Sequence, residues 1–520
     1  AVAEEKVQKE DLRSSAGGDI VLVAADSITV AEGSLEDNDG NTLGIKTLGS
    51  GNIFLNVSNG NIEVNSGIYA ENGHISLDTD VGDILQNTAG NISAVGSIDL
   101  LAAGNISMSD GALTLSTTSD VRYEAGADII VGQIKVEAAG KGISLISGDD
   151  IIDGGDTGGE DIQSPNLLIS SVGATGHDDT DLNALEIEVT AFSASSGDAG
   201  LFLKETDSLT VQDVSTSIKR VDNSGGISGI VENSGEDLHT SGNAHIVLVT
   251  GETLTVTEGL LDDEHGNTSG VKAADNGNIL LKALNSNIDL QSTVEATNGH
   301  ISIVADAGDV LQKAAGHIST GGSIDVIASA NISMSDGAFS SSAASDIRYQ
   351  SGADIAVGQL IAEAENKGIS LVSGDDLIDS GDSGGEDIKA ASLLISSTGS
   401  AGHDDTNLNA LEIAVDFLAA SSGDAGLFLS ETDTVIVQEV STNIKRIDNT
   451  GNVADNVYDA QEDLQSTDNG NIVLISGAAL TITKGSLEDG SGNTSGVKAA
   501  GSGNIFLNSL SGNIDVQSAI

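Results

Sequence analysis

The sequence has no cysteine, no tryptophan, one proline, and only seven phenylalanines and four tyrosines in 520 residues. Globular enzymes of this size usually build part of their core from aromatic side chains, which bury large areas each. The core must therefore consist of Ile, Leu, Val and Ala. With 38% hydrophobic residues the chain has enough apolar surface to fold, which excludes a disordered polymer. The absence of cysteine fits either a reducing cytosol or a secreted protein that needs no disulfide bonds.

Basic residues are also scarce, since 20 Lys and Arg stand against 79 Asp and Glu and give a formal net charge of −59. Phosphate backbones and anionic membrane surfaces repel such a chain, which argues against nucleic acid as a partner. No stretch approaches the roughly 20 apolar residues that cross a bilayer, so we expect no membrane insertion in this segment. The acids lie along the whole chain, which fits a solvated, non-sticking surface or the binding of divalent cations outside the cell.

A long repeat organises the chain. The segment "GHDDTDLNALEIEV" at Gly176–Val189 returns as "GHDDTNLNALEIAV" at Gly402–Val415, and "NISMSDGA" returns at the same offset, from Asn105 to Asn331. The repeat predicts a lead-in at 1–14, copies at 15–240 and 241–466, and a partial third copy at 467–520, all in one continuous solenoid. Because the sequence starts and stops within a repeat, we expect it to be a piece of a longer polypeptide.

A shorter step runs inside each copy. Isoleucines recur at a nearly constant interval, for example at Ile53, Ile75 and Ile98, within segments of alternating apolar and polar residues. Such alternation indicates strands buried on one face, and the Gly, Asn, Asp and Ser turns with no helical pattern exclude an α/β fold. The fixed step predicts an all-β protein, a right-handed parallel β-helix (β-solenoid) with about 22–23 residues per coil. Asparagines at the corners, such as Asn52 and Asn105, are expected to form stacked amide ladders in which each side chain bonds its neighbour one coil away.

Two glycine-rich loops are dense in acids. "SGDDIIDGGDTGGEDI" and its copy "SGDDLIDSGDSGGEDI" each place six carboxylates within thirteen residues. Ca²⁺ takes six to eight oxygen ligands in flexible geometry, so these loops are candidate calcium sites, with a solvated acidic loop as the alternative. The candidate ligands are Asp149, Asp150, Asp153, Asp156, Glu160, Asp161, Asp375, Asp376, Asp379, Asp382, Glu386 and Asp387.

Two further patterns carry charge. His177, Asp178 and Asp179 could form an acid/base cluster, but a catalytic pair needs a third, orienting group and a pocket. Because the loop recurs intact in the second copy, we interpret it as a structural corner. The paired basic residues Lys219–Arg220 and Lys445–Arg446 occur once per copy and are expected to form salt bridges with nearby acids or to contact an acidic neighbouring filament.

The "GNI.L" and "GSIDL.AAGNISM" segments, with the block from Asn166 to Val211, resemble the filamentous-haemagglutinin-like repeat regions of giant secreted bacterial adhesins. The resemblance implies an extracellular or bacterial cell-surface location and a role in projection or attachment without catalysis. Its partners would be neighbouring segments of the same polypeptide or filament, and a surface receptor or glycan. The alternatives are a homopolymeric extracellular filament and, less favoured, a β-helical polysaccharide-degrading enzyme.

Overall fold

The computed structural model describes residues 11–33, 42–155, 159–177, 184–259, 269–381, 385–403, 410–485, 487 and 495–520. Every regular element in these ranges is a β-strand, which confirms the all-β prediction. A helix long and apolar enough to cross a membrane does not occur in them. The chain divides into two compact units, Ala1–Leu238 and His239–Ile520, which are described separately.

Each coil contributes one strand to each of three parallel sheets, named A, B and C. In the first unit, sheet A contains Ile20–Ala24, Ile53–Val57, Ile75–Thr79, Ile98–Ala102, Val121–Ala125 and Gly142–Ser147. Sheet B contains Ile28–Val30, Ile62–Val64, Ile84–Gln86, Ile106–Met108, Ile129–Val131 and Ile151–Asp153. Sheet C contains Leu12–Ser14, Leu43–Thr47, Gly67–Ala70, Ile92–Ala94, Leu113–Ser116 and Gln133–Val136.

The second unit repeats this arrangement. Its sheet A contains Ile246–Thr250, Ile279–Ala283, Ile301–Ala305, Ile324–Ala328, Ile347–Ser351 and Gly368–Ser373. Its sheet B contains Leu254–Val256, Ile288–Leu290, Val310–Gln312, Ile332–Met334, Ile355–Val357 and Leu377–Asp379. Its sheet C contains Ser269–Ala273, Thr293–Ala296, Ile318–Thr320, Phe339–Ser342 and Gln359–Ala362.

Toward the end of each copy the coils change form. Two long strands, Ile162–Ser171 and Leu185–Ser196, each supply a sheet C strand and then a sheet A strand, as do Ile388–Ser397 and Leu411–Ser422. The shorter strands that follow are Leu201–Glu205, Leu209–Val211, Leu238–Thr240, Leu427–Glu431, Val435–Val437, Leu464–Ser466, Ile472–Ser476, Leu480–Ile482, Val497–Ala499, Ile505–Ser509 and Ile514–Val516.

The repeated isoleucines stack in register. Ile53 pairs with Ile75 and Ile75 with Ile98, and all three side chains are fully buried. Ile106 lies in the equivalent column of sheet B, between Ile84 and Ile129. Each such side chain contributes about 1.5–3 kcal/mol by leaving water. These columns confirm the parallel β-helix and the coil step that the isoleucine spacing predicts.

Among the described residues, one β-hairpin interrupts the coils in each unit, and the sequence did not predict either of them. The first joins Val214–Val221 to Ile227–Gly235, and the second joins Val440–Ile447 to Val453–Gln461, both antiparallel. Each hairpin folds back over the outer surface of sheet A in its own unit, where residues on the outward face would otherwise meet solvent.

The polar residues beneath the hairpins are consequently buried. Asp99 and Arg122 are 1% and 3% exposed and form an ion pair of 2.8 Å. Arg220 of the first hairpin bonds Asp78 at 3.0 Å, and Arg446 of the second bonds Asp325 at 2.7 Å. The predicted salt bridges are therefore confirmed for both arginines. They join each hairpin to its sheet.

Candidate functional site

The residues around the acidic loops belong to a ladder at the corner before each sheet B strand. Side-chain oxygens of Asn61, Asp83, Asn105 and Asp128 each accept the backbone N–H of the corresponding corner residue one coil later, at 2.8–3.2 Å. The last of these bonds reaches Asp150, whose own Oδ1 accepts the N–H of Ala174 at 2.7 Å. The predicted stacking of amide on amide is therefore wrong at these corners, because each side chain bonds the backbone of the next coil. A predicted calcium ligand, Asp150, is a member of this ladder.

The corner before each sheet A strand carries a ladder of the same kind, and the repeats show that it requires an acceptor. Asp19, His245 and Asn471 occupy the same position in successive copies. Each accepts the backbone N–H of the corner residue one coil later, at 2.8, 3.0 and 2.9 Å. A carboxylate, an imidazole and an amide are interchangeable here because each places a lone pair at the same reach from the backbone. The mixture of Asp, His and Asn follows from this requirement.

Along the ladder that precedes the sheet B strands, asparagine and aspartate alternate until the last step. Asn61 and Asn105 lie on either side of Asp83, so the charged oxygens of Asp83 and Asp128 are two coils apart. Asp128 and Asp150, in contrast, lie on adjacent coils. Together with Asp149 they bring three carboxylate oxygens within 4.8 Å of one another. The second unit repeats the group, which consists of Asp354, Asp375 and Asp376.

A second acidic group lies after the sheet B strand. Asp153, Asp161 and Glu186 place three oxygens within 4.8 Å, and the equivalent group is Asp379, Asp387 and Glu412. Asp161 and Asp387 are 1% and 2% exposed, and they accept the backbone N–H groups of Glu186 and Glu412 at 3.1 and 3.0 Å.

The electrostatics of this second group favour a bound proton or a bound cation. Burial removes water from the Asp387 carboxylate and raises its pKa, and the nearby charges of Asp379 and Glu412 raise it further. With one oxygen from each, three carboxylates supply half or less of the six to eight oxygens that Ca²⁺ takes, so backbone carbonyls or water would complete a calcium site.

The predicted ligands that the structure describes divide between two groups in each copy. Asp149 and Asp150 join one group and Asp153 and Asp161 join another, while Glu160 stands apart and accepts bonds from Thr206 and Gln163. A backbone N–H bond, helped by these two side-chain bonds, lowers the pKa of Glu160. In the second copy, Asp375 and Asp376 separate from Asp379 and Asp387, and Glu386 bonds Thr432. The predicted ligands Asp156 and Asp382 lie outside the described residues.

Sequence reasoning missed four members of these groups, Asp128, Glu186, Asp354 and Glu412. Each lies about one coil along the chain from a ligand that it joins, as Asp128 does from Asp150. Going back one coil step from Asp150 and Asp376, and forward one from Asp161 and Asp387, would have found them. His177 is exposed, and Asp178 and Asp179 fall outside the described residues, so the interpretation of this loop as a corner stays a prediction.

An open groove recurs on sheet C near the end of each copy. In the first unit it measures about 670 Å³ and is lined by Lys135, Glu188 and Asp207 among others, and in the second about 890 Å³. The second groove is bordered by Glu431, the counterpart of Glu205. Burial raises the pKa of Glu205 to about 8 and that of Glu431 to about 7.

Those two carboxyl groups are engaged by the backbone. The oxygens of Glu205 accept the N–H groups of Val189 and Asp207 at 3.0 and 3.2 Å. Glu431 accepts those of Val415 and Asp433 at 3.0 and 2.9 Å. Each carboxyl group therefore accepts backbone N–H bonds that the carbonyls of a neighbouring strand would otherwise accept, at a point where the strand pairing is interrupted.

Comparisons with protein families, with curated proteins and with solved structures returned no match.

Proposed function

We propose that this chain is a structural and adhesive segment of a long, secreted or cell-surface bacterial β-helical protein, which projects a binding region or mediates attachment without catalysis. The observation that carries the proposal is duplication. The corner ladders, both acidic groups, the groove and the hairpin all recur in the second copy of the long repeat. An enzyme active site on a repeated scaffold would be expected as a single irregular feature.

The surface charge supports the same function. A chain of net charge −59 stays soluble and resists lateral association with its own copies. Its partners would be neighbouring segments of the same polypeptide and a receptor or glycan on another surface. Calcium at the acidic groups stays a prediction within this proposal, and it would act on stability.

The proposal is tested by presenting the chain with polyuronic acids and neutral glycans, and by measuring the attachment of chain-coated beads to bacterial and host-type cell layers. We expect saturable attachment and glycans that remain intact. Cleavage of any glycan would reject the structural function in favour of the polysaccharide-degrading enzyme. Beads that attach no better than beads coated with an unrelated protein of equal negative charge would reject the adhesive function.

A further inference from the structure

Both hairpins are held to sheet A by hydrogen bonds from alternate residues of their inner strand. In the first unit the N–H groups of Ser217, Lys219 and Val221 bond Asp120, Ser97 and Ser76 at 3.2, 3.3 and 2.9 Å. In the second unit Asn443, Lys445 and Ile447 bond Asp346, Ser323 and Ser302 at 2.9, 3.3 and 2.9 Å. Ser97 and Asp120 directly precede sheet A strands, as Ser323 and Asp346 do, whereas Ser76 and Ser302 lie within such strands. The hairpin therefore lies on sheet A beside the corner ladder that precedes its strands.

The hairpin tip is anchored at the same ladder. Asn52 donates its amide N–H to the carbonyl of Gly225, and Asn278 donates to Gly451, both at 2.8 Å. Gly451 lies so close to His245 that a Cβ added to it would be 2.6 Å from the Cβ of that histidine. Its φ of +76° also favours glycine. The tip thus rests against a ladder side chain.

In each unit a histidine accepts the backbone N–H of a serine whose hydroxyl bonds the hairpin. The Nδ1 atom of His74 accepts the N–H of Ser97 at 2.8 Å, and that of His300 accepts the N–H of Ser323 at 2.8 Å. At the tip of the second hairpin, Nδ1 of His245 accepts the N–H of Asn278 at 3.0 Å. An Nδ1 atom that accepts carries no proton, so each of these imidazoles is neutral.

Protonation of Nδ1 would turn each of these acceptors into an N–H donor, which would then face the backbone N–H that it now accepts. The ladder bond would be lost at Ser97 or Ser323, the same residues whose hydroxyls bond Lys219 and Lys445. The charged group that faces His74 is Lys219 of the hairpin, and Lys445 faces His300 in the same way. An imidazolium would therefore also repel the hairpin. Asp448 of the second hairpin faces His245 and partly offsets its charge.

We propose that His74 in the first unit, and His245 with His300 in the second, are proton-sensitive latches that hold the hairpins on sheet A at neutral pH and release them in acid. Release would expose the buried ion pairs beneath the hairpins, including Arg122 with Asp99. The latch does not depend on the adhesive function, since it follows from ladder geometry.

The direction of the pH dependence follows from the pKa of each group. Burial lowers the pKa of His74 and His245, and burial with Lys445 lowers that of His300 to about 4. A histidine released from the ladder would titrate near 6.5. Docking is therefore complete above about pH 6.5 and weakens as pH falls toward 4. At pH 4.5 the linkage relation gives at most about an 80-fold loss of docking for His300, which is reached only if opening also frees the ring from its bond to Ser323. Because the ring is partly solvated, we expect about tenfold.

Hydrogen exchange followed by mass spectrometry tests the latch in the full chain. Protection of peptides covering 214–235 and 440–461 is compared at pH 7.5 and 4.5, after correction for intrinsic exchange rates. We expect protection of both hairpins to fall about tenfold or more at pH 4.5, while sheet B peptides around 106–131 keep theirs.

Asparagine variants separate the imidazoles from the many carboxylates. Asparagine replaces histidine naturally in these ladders, as at Asn471 for His245, so the variants keep the acceptor without its titration. His74→Asn should abolish the opening of 214–235 in acid and leave that of 440–461 unchanged. The double variant His245→Asn/His300→Asn should do the reverse. The untouched hairpin is the control in each case. Acid opening that persists in the variant hairpin, or a wild-type chain whose hairpins stay closed at pH 4.5, would overturn the proposal.

Discussion

The strongest prediction concerns Asn105, which is a ladder residue between two aspartates. Its Oδ1 accepts the N–H of Asp128 at 2.9 Å, and its own N–H bonds Asp83 at 2.8 Å. Asn105→Ala removes the acceptor and leaves a backbone donor unpaired, which costs about 1–3 kcal/mol for a buried group and should cost about 1 kcal/mol at this half-buried bond. Asn105→Asp keeps the acceptor but places a third carboxylate one coil from each neighbour. At about 4.8 Å each repulsion is worth about 0.9 kcal/mol in water.

The two variants differ in their response to salt. Added NaCl should recover part of the Asn105→Asp deficit because it screens exposed charges, and it should leave the Asn105→Ala deficit unchanged. Hydrogen-exchange protection of peptides covering 98–131 measures both, with about tenfold in protection for each 1.4 kcal/mol. Peptides around Asn331, the equivalent residue in the second unit, are the internal control. An alanine variant with unchanged protection would refute the view that the ladder acceptors stabilise the coils.

The remaining predictions concern the core, a buried acid and calcium. Ile106→Asp and Ile332→Asp place a charge at fully buried positions and should destabilise the local coils by several kcal/mol, whereas exposed His177→Ala should change thermal unfolding little. The opposite ranking would mean that the faces of the coil are assigned wrongly. Since burial raises the pKa of Glu205 to about 8, its folded carboxyl retains a proton that the unfolded chain releases above pH 4.5. Stability should therefore fall by about 1–4 kcal/mol as pH rises from 4.5 through 8, and Glu205→Gln should flatten that slope in pH-dependent melting. Millimolar CaCl₂ should raise the unfolding temperature more than NaCl of equal ionic strength, and Asp387→Asn should reduce the difference. Equal effects of the two salts would remove the calcium prediction.

The coil architecture was predictable because it depends on a local signal that every coil repeats. Ile53, Ile75 and Ile98 recur at the step that their pairing requires, and alternation gives each strand its buried face. The hairpins escaped prediction because an inner strand such as Val214–Val221 alternates in the same way as a coil strand. Only its position between two polar turns distinguishes it, and sequence alone does not say that it folds back over sheet A.

The acidic sites were predictable as residues but not as groups. Asp150 and Asp153 are neighbours in sequence, yet one lies at the corner before a sheet B strand and the other at its end. Their partners Asp128 and Glu186 come from adjacent coils. Sequence proximity therefore grouped residues that the strand separates. The histidine acceptors were missed for another reason, because they bond backbone N–H groups, which leave no pattern in the sequence.

The most direct test of the central claim measures coil register with cysteine pairs, which the cysteine-free sequence allows without background. Leu85 and Ser107 face outward on adjacent sheet B strands in direct register, so their Cα atoms lie about 4.8 Å apart, within the range for a disulfide. Ile130 lies one coil further on, about 9.6 Å from Leu85, beyond that range. After mild oxidation, peptide mass spectrometry should detect an intramolecular disulfide in Leu85→Cys/Ser107→Cys and none in Leu85→Cys/Ile130→Cys. A disulfide in the second pair, or its absence from the first, would contradict the parallel coil and the register that its isoleucine spacing sets.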